Sequence, residues 1–222
     1  MQKSIPYKLS IRIEADGFSF VLTQNGKLLL KRQLWCNKNE LVNKLVAELQ
    51  LQNLSDKLFD QVEVIIHSPK AQLIPQEIYR QEDETHWLQL KHKDKQYISS
   101  DTIDIYGCYN IFATDLKLYN AIKAVLPPHT VFKHALTELI TQPINSNTCM
   151  RVYQGNKFID ICVIKEGKLL LANTITIEND ADAAYWIMNV IEQLNLTIKT
   201  DNIEIQSETS SSLRNILNEL LP

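Results

Sequence analysis

Glycine is scarce, with five in 222 residues and no two adjacent. Proteins that hold phosphate on backbone N–H groups use glycine-rich turns, because only a residue without Cβ lets the main chain close on the anion. Without a Gly-Gly pair, the most open form of such a turn has no candidate. Basic charge is not in excess either: 23 Lys and Arg stand against 26 Asp and Glu, a formal net charge of −3. That balance excludes the positive field behind sequence-independent nucleic-acid binding. The four cysteines, Cys36, Cys108, Cys149 and Cys162, lack the close spacing of a zinc knuckle or a redox dithiol. No apolar run approaches the ~20 residues that span a bilayer, and residues 1–10 contain no apolar core of a secretory signal. The expectation is a cytoplasmic protein with free, mostly buried thiols and no membrane insertion.

What is present is a repeat. Gly26-Lys27-Leu28-Leu29-Leu30 recurs as Gly167-Lys168-Leu169-Leu170-Leu171, an offset of 167 − 26 = 141. The same offset places Phe18-Ser19-Phe20-Val21-Leu22 opposite Ile159-Asp160-Ile161-Cys162-Val163, and Val62-Glu63-Val64 opposite Ile203-Glu204-Ile205. One offset held without a gap across a hairpin, a helix and a following strand indicates a duplication.

Each copy reads as three strands, a helix and a fourth strand. In the first, residues 9–13 alternate apolar with polar, the half-buried strand pattern. Asp16-Gly17 reads as a tight turn with Gly17 at positive φ, and Asn25-Gly26 as a second. Asn37 or Asn39 is placed to cap a helix through Gln50, with Leu41, Leu45 and Leu49 on one face. Residues 62–66 form a buried strand. The second copy repeats the order: strands over 150–153, 158–164 and 169–175, a helix capped by Asn179 or Asp180, a strand over 203–205, and a last helix over 210–221. Between the copies the pattern predicts a helix from Pro75 toward Leu90, a strand over 103–109, a Thr114-capped helix to Val125, a strand over 131–134 and a helix over 136–140. The polar stretch 142–148 is the expected boundary, dividing a first domain at 1–145 from a shorter second at 149–222. The fold class is α/β with mixed sheets, two ribonuclease H-like domains whose pairing resembles the actin, sugar-kinase and heat-shock ATPase arrangement.

Leu73-Ile74-Pro75 with Trp87-Leu88, and Asp182-Ala183-Ala184-Tyr185-Trp186 leading into Asn189-Val190-Ile191-Glu192-Gln193-Leu194, resemble an uncharacterised Bacteroidetes family. That family is a domain of unknown function with a duplicated actin-like fold. The resemblance covers nearly the whole chain and implies the fold rather than an activity. Members of that family carry a strand past the last helix, so the resemblance implies a second domain short at its C-terminus here. Actin-like ATPases hold nucleotide on two Gly-rich hairpin turns with an adjoining Asp for Mg²⁺ or its water. Here the first turn is Glu14-Ala15-Asp16-Gly17-Phe18-Ser19, with bulky Phe18 where phosphate would approach. The second, Tyr153-Gln154-Gly155-Asn156-Lys157-Phe158, has one glycine and no carboxylate on the preceding strand. If a nucleotide binds, Asp16, Ser19 and Lys157 are the contacts to consider.

Other chemistries find less. Glu14, Glu40 or Glu48, and Glu63 are the nominal carboxylates for ribonuclease H-type metal catalysis, but a solvated-surface reading is favoured. His86 and His92, and His129 and His134, lack ligand spacing and read as surface or capping residues. No Gly-x-Ser-x-Gly elbow exists, Ser210-Ser211-Ser212 reads as a helix start, and Cys162 reads as an inert buried thiol. Residues 91–95 form a basic loop too short for nucleic acid. Trp87, Tyr97, Tyr106 and Tyr109 offer an aromatic surface or fill a core. The expectation is therefore no catalytic residue, no metal site and no cofactor. It is a non-catalytic interaction or scaffolding protein that self-associates or takes a protein partner at an interdomain cleft. The alternatives are a divergent nucleotide-binding protein or ATPase, and a small-ligand pocket in that cleft.

Overall fold

Asn25 and Gly26 both adopt left-handed backbone, at φ 52° and 72°, and Glu166 and Gly167 repeat the pair at 52° and 74°. Two consecutive positive φ values make the type I′ turn that matches strand twist, so both copies fold back at the same place. The computed structural model describes residues 6–54, 57–90, 95–144, 147–199, 202–207 and 212–221. It builds the first copy as β1 (Tyr7–Glu14), β2 (Gly17–Gln24), β3 (Lys27–Trp35), α1 (Lys38–Leu51) and β4 (Phe59–Ile66). Then follow β5 (Ala71–Pro75), α2 (Glu84–Trp87), β6 (Gln96–Ile103), β7 (Cys108–Asp115), α3 (Leu116–Val125), β8 (Val131–His134) and α4 (Ala135–Thr141). The second copy is β9 (Thr148–Gln154), β10 (Phe158–Lys165), β11 (Lys168–Thr176), α5 (Asp180–Gln193) and β12 (Ile203–Ser207), followed by α6 (Leu213–Leu220).

The strands form sheets ordered β3-β2-β1-β4-β8, β11-β10-β9-β12 and β5-β7-β6. In the first two the meander is antiparallel and the crossover strand joins parallel to the first strand of its copy. This is the ribonuclease H-like core, present twice. The duplication extends to an irregularity: the register slips between Leu22 and Thr23 in one hairpin and between Val163 and Ile164 in the other. Both slips bulge the third strand at the middle of the Leu-Leu-Leu run. The helices depart from the single offset. Asn53 and Asn195 each close a helix at positive φ, with Leu54 N–H bonded to Leu49 O and Leu196 N–H to Ile191 O. Their separation is 195 − 53 = 142, one more than that of the strands.

Two compact units divide the chain. One comprises residues 1–70, 79–101 and 111–134, the other 71–78, 102–110 and 135–222, so the segments interleave rather than following a division at 145–149. In the first unit, β1 and β2 alternate: Leu9, Ile11, Ile13, Phe18, Phe20 and Leu22 are buried with Leu41, Leu45 and Leu49 of α1, whereas Ser10, Arg12, Ser19, Val21 and Thr23 are half-exposed. In the second unit nearly every residue of β9 and β10 is buried. One face packs on α5 and α6 through Val152, Ile161, Ile187 and Leu217. The other carries Tyr153, Cys162 and Ile164 against Leu136, Leu139 and Ile140 of α4. Strands covered on both faces read as continuous apolar runs, and β10 (Phe-Ile-Asp-Ile-Cys-Val-Ile) does so.

Several local expectations change. Gly17 lies outside the left-handed region and belongs to β2 opposite Glu14, so the loop is Ala15-Asp16. A Cβ on Gly17 would stand 2.4 Å from Leu34 O, so glycine serves close strand approach there, not a turn dihedral. Pro75 ends a strand instead of opening a helix; residues 76–83 lack a helical apolar stripe, and a 3₁₀ turn at Gln81–Asp83 leads into an α-helix confined to Glu84–Trp87. The strand expected over 103–109 is broken by a 3₁₀ turn at Asp104–Tyr106 and by Gly107 at φ 57°. Asp115, not Thr114, caps α3, its Oδ1 accepting from Lys117 N and Leu118 N at 2.8 and 3.2 Å. Asn179 caps α5 by accepting from Asp182 N, while Asn37 at the head of α1 makes no side-chain cap bond. Ser210 and Ser211 lie outside the described residues.

Arg151 pins α4 to its sheet. It is 1% exposed. Its guanidinium donates to Leu139 O at 3.3 Å, Gln142 O at 2.9 Å, Pro143 O at 2.5 Å and Glu204 Oε2 at 2.9 Å. It thereby satisfies carbonyls that the end of a helix leaves open. Arg151→Met keeps the volume but strands these acceptors, and is expected to lower the unfolding free energy by about 3 kcal/mol. Urea titration of wild type and variant reads this as a lower midpoint at unchanged slope.

Candidate functional site

In open α/β sheets ligands bind beyond the carboxyl ends of the parallel strands, where the strand order reverses. In the first unit those ends carry Glu14 (β1), His67 and Ser68 (after β4) and His134 (end of β8). All four are buried. Arg12 donates to His67 Nε2 at 2.8 Å, which leaves the ring proton of a neutral His67 on Nδ1. His134 faces the Ser68 backbone, with its Nε2 3.0 Å from Ser68 O and 3.3 Å from Ser68 N. Its own amide donates to Asp101 Oδ2 at 2.7 Å. The Ser68 hydroxyl gives its only proton to Ala113 O at 3.0 Å and accepts from Lys70 N at 3.2 Å. A serine so committed has no proton to pass to a base, so the His-Ser pairing clamps strand ends and does not form a nucleophile.

The two hairpin turns sit at the same ends. Asp16 O accepts from Cys36 N at 2.8 Å, tying the first turn to the exit of β3, and one Asp16 carboxylate oxygen is shut off from solvent. Phe18, expected at the turn mouth, is 2% exposed and points into the core. The turn is closed instead by the approach of β3 to Gly17. Ser19 lies along β2, paired with Arg12 and Gln33. In the second unit Gly155 N–H bonds back to Phe158 O at 3.0 Å, and a Cβ on Gly155 would meet the Phe158 ring at 2.3 Å. Lys157 is exposed. Beyond β9 the crevice is stitched by side chains. Asp180 Oδ1 accepts from Gln154 Nε2 at 2.6 Å, and its Oδ2 accepts from both N and Oγ of Ser212, each at 2.6 Å. A carboxylate of the chain itself thus holds the start of α6, where an anionic ligand would otherwise be stabilised.

The remaining candidates have structural partners. Glu63 is half-buried and pairs with Lys133 at 2.6 Å. Burial alone would raise its carboxyl, but Lys133 and Gln61 more than offset that and hold it below the usual range. The surface reading of Glu14 is corrected, since it is buried at the end of β1, while Glu63 lies mid-β4 and is half-buried. Glu40 pairs with Lys44 at 2.9 Å, and Glu48 lies 4.0 Å from Arg32. His134 is a core residue, not a surface one; His86 and His129 are exposed, and His92 lies outside the described residues. Among the described residues no group of three or more His, Cys, Asp or Glu converges as a metal site. Tyr97 stacks on Tyr119 at 3.5 Å and so serves packing. Tyr106 lines a groove of about 590 Å³ in the second unit, between Leu73, Pro75 and Cys108 on one side and residues 168–173 on the other.

The family model described as "Protein of unknown function (DUF3822)" matches residues 1–222. The chain belongs to this family. No curated protein matches the sequence. A Bacteroides thetaiotaomicron protein, described as having an actin-like ATPase fold and unknown function, is similar in structure: TM-score 0.81 at 23% identity, over 98% of this chain and 88% of that one. The ethanolamine utilization protein EutJ from Carboxydothermus hydrogenoformans is similar at TM-score 0.50 and 11% identity, over 98% and 90% of the two chains. At these identities the likeness establishes the actin-like fold of this family member. Among the described residues no helix is long and apolar enough to cross a membrane.

The cysteines give a test of the packing. Burial pushes the Cys162 thiol up to about 12 and raises those of Cys108 and Cys149. Cys36 is raised by burial as well, but it is half-exposed and Lys44 pulls the other way. Iodoacetamide at pH 8 is expected to add one adduct, at Cys36, to the native protein and four in urea. Intact-mass and peptide mass spectrometry would show it, and early labelling at Cys162 would contradict the buried β10.

Proposed function

We propose that this family member works without catalysis, as a protein-interaction or scaffolding module on an actin-like fold whose phosphate-binding turns have closed. The observation that carries this reading is the pair of turns. Gly17 is walled by Leu34 O and Gly155 by the Phe158 ring. Neither turn leaves a concave run of free N–H groups of the kind that cradles phosphate. The Asp180 carboxylate at the head of α6 supports it, since a second anion there would meet like charge. Four free cysteines fit a reducing compartment such as the cytoplasm.

The second reading, a divergent nucleotide-binding protein or ATPase, draws on the fold, because the Bacteroides relative is described by an ATPase fold. Folds outlive activities, so this weighs less than the turns. Its contacts would be Asp16 and Ser19 in the first unit and Lys157 in the second. Calorimetric titration with Mg-ATP to about 1 mM, with a parallel thermal melt, separates the two. The expected result is no saturable heat and no rise in midpoint. Micromolar binding that Asp16→Ala abolishes would overturn the non-catalytic reading.

A further inference from the structure

The two copies of Gly-Lys-Leu-Leu-Leu share a turn, a register and a bulge, but not a covering. In the second unit Leu169 packs with Leu73 and Tyr106 against the core beneath α4, so the chain lays a short extended segment, Ala71–Pro75, beside β11. Both β3 and β11 are edge strands of their sheets, and among the described residues β3 is bonded to β2 alone; the difference lies in what covers their leucines. Leu28, the counterpart of Leu169, is 60% exposed, Leu29 at the bulge 51% and Trp35 46%. An edge with exposed leucines is a template for strand pairing.

Charge has diverged with the covering. Residues 17–39 contain Lys27, Lys31, Arg32 and Lys38 and no Asp or Glu, in a chain of net charge −3. The matching residues 158–180 carry Asp160, Glu166, Glu178 and Asp180 beside Lys165 and Lys168. Arg32 lies 4.0 Å from Glu48 of α1. The stretch 158–180 is acidic on balance, and the matching stretch 17–39 is basic.

We propose that β3 and the open sheet face beside it, centred on Leu28, Leu29 and Lys31, dock an extended acidic segment of a partner protein that carries leucine-class side chains. The occupant copies the chemistry that Leu73 supplies in the second unit, with carboxylates added to answer the lysines. Four cations on one strand and its flank are few for nucleic acid, whose affinity rests on many phosphate contacts, whereas leucines flanking a bulge suit a peptide. This inference deepens the interaction reading of the preceding section and rests on it.

The test is fluorescence anisotropy of the full chain with a labelled peptide of about ten residues alternating leucine and glutamate. Controls replace Glu by Lys, or Leu by Ser. The Leu-Glu peptide is expected to bind, the Leu-Lys peptide not, and the Ser-Glu peptide about tenfold or more weaker. Leu28→Ser with Lys31→Glu is expected to weaken binding by about tenfold or more. Leu170→Ser, in the covered copy, is expected to leave it unchanged. Both substituted strands are surface-exposed, and thermal melts of each variant verify that the fold is kept. No binding of the Leu-Glu peptide, binding indifferent to the β3 substitutions, or tighter binding of a labelled oligothymidylate would each overturn the proposal. A dimer in sedimentation that Leu28→Ser dissociates would also overturn it, by making a second copy the occupant. Failure here with Mg-ATP still unbound sinks only the docking surface; Mg-ATP binding sinks the non-catalytic reading whatever the peptide does.

Discussion

A sheet has two faces, and the helix that follows a three-strand meander covers only one of them. How each copy treats its other face governs most of what distinguishes the two units. The first leaves it wet, and its strands alternate. The second buries it under α4 and the segment around Leu73, and its strands become apolar on both sides. The polar groups drawn inside by the second solution must then be paired. Asp160, fully buried, accepts from Thr174 Oγ1 at 2.5 Å. Arg151 spreads its donors over α4's last carbonyls and Glu204.

The same bookkeeping accounts for the histidine and serine at the strand ends of the first unit. An imidazole and a hydroxyl gather beyond β4 and β8 because buried strand ends need partners, and His134 and Ser68 find theirs in backbone groups. A functional cluster would leave a proton or a lone pair directed into open space. Ser68 directs its proton at Ala113 O.

Much of this was legible in the sequence. The alternation at 9–13, the Asn-Gly and Glu-Gly turns and the apolar run of β10 each follow from a period or a dihedral that local residues dictate. The core stripe Leu41, Leu45 and Leu49 is of the same kind. What stayed hidden depends on distant chain. Gly17 looks like a turn glycine until β3 is laid beside it, and Pro75 looks like a helix start until β7 and Gly107 give it a strand to pair beside. His134 and Glu14 look solvated because a charged letter carries no record of what will cover it. Asp180 is indistinguishable from an ordinary first-turn acid until Gln154 and Ser212 arrive from other elements.

The helices of the two copies sit one residue out of step with the strands around them. A slipped strand would turn its apolar side chains to the wrong face, so β1 to β3 and β9 to β11 keep a common spacing down to the bulge. The helix takes up its extra residue in the connection before it and returns it in the connection after, and the left-handed asparagine travels with the helix. Inheritance after the duplication was therefore modular. Hairpin and helix each keep their own spacing between the copies, the loops between them are where length was free to drift, and the junctions around residues 36–37 and 177–179 are natural places to exchange one half's parts for the other's.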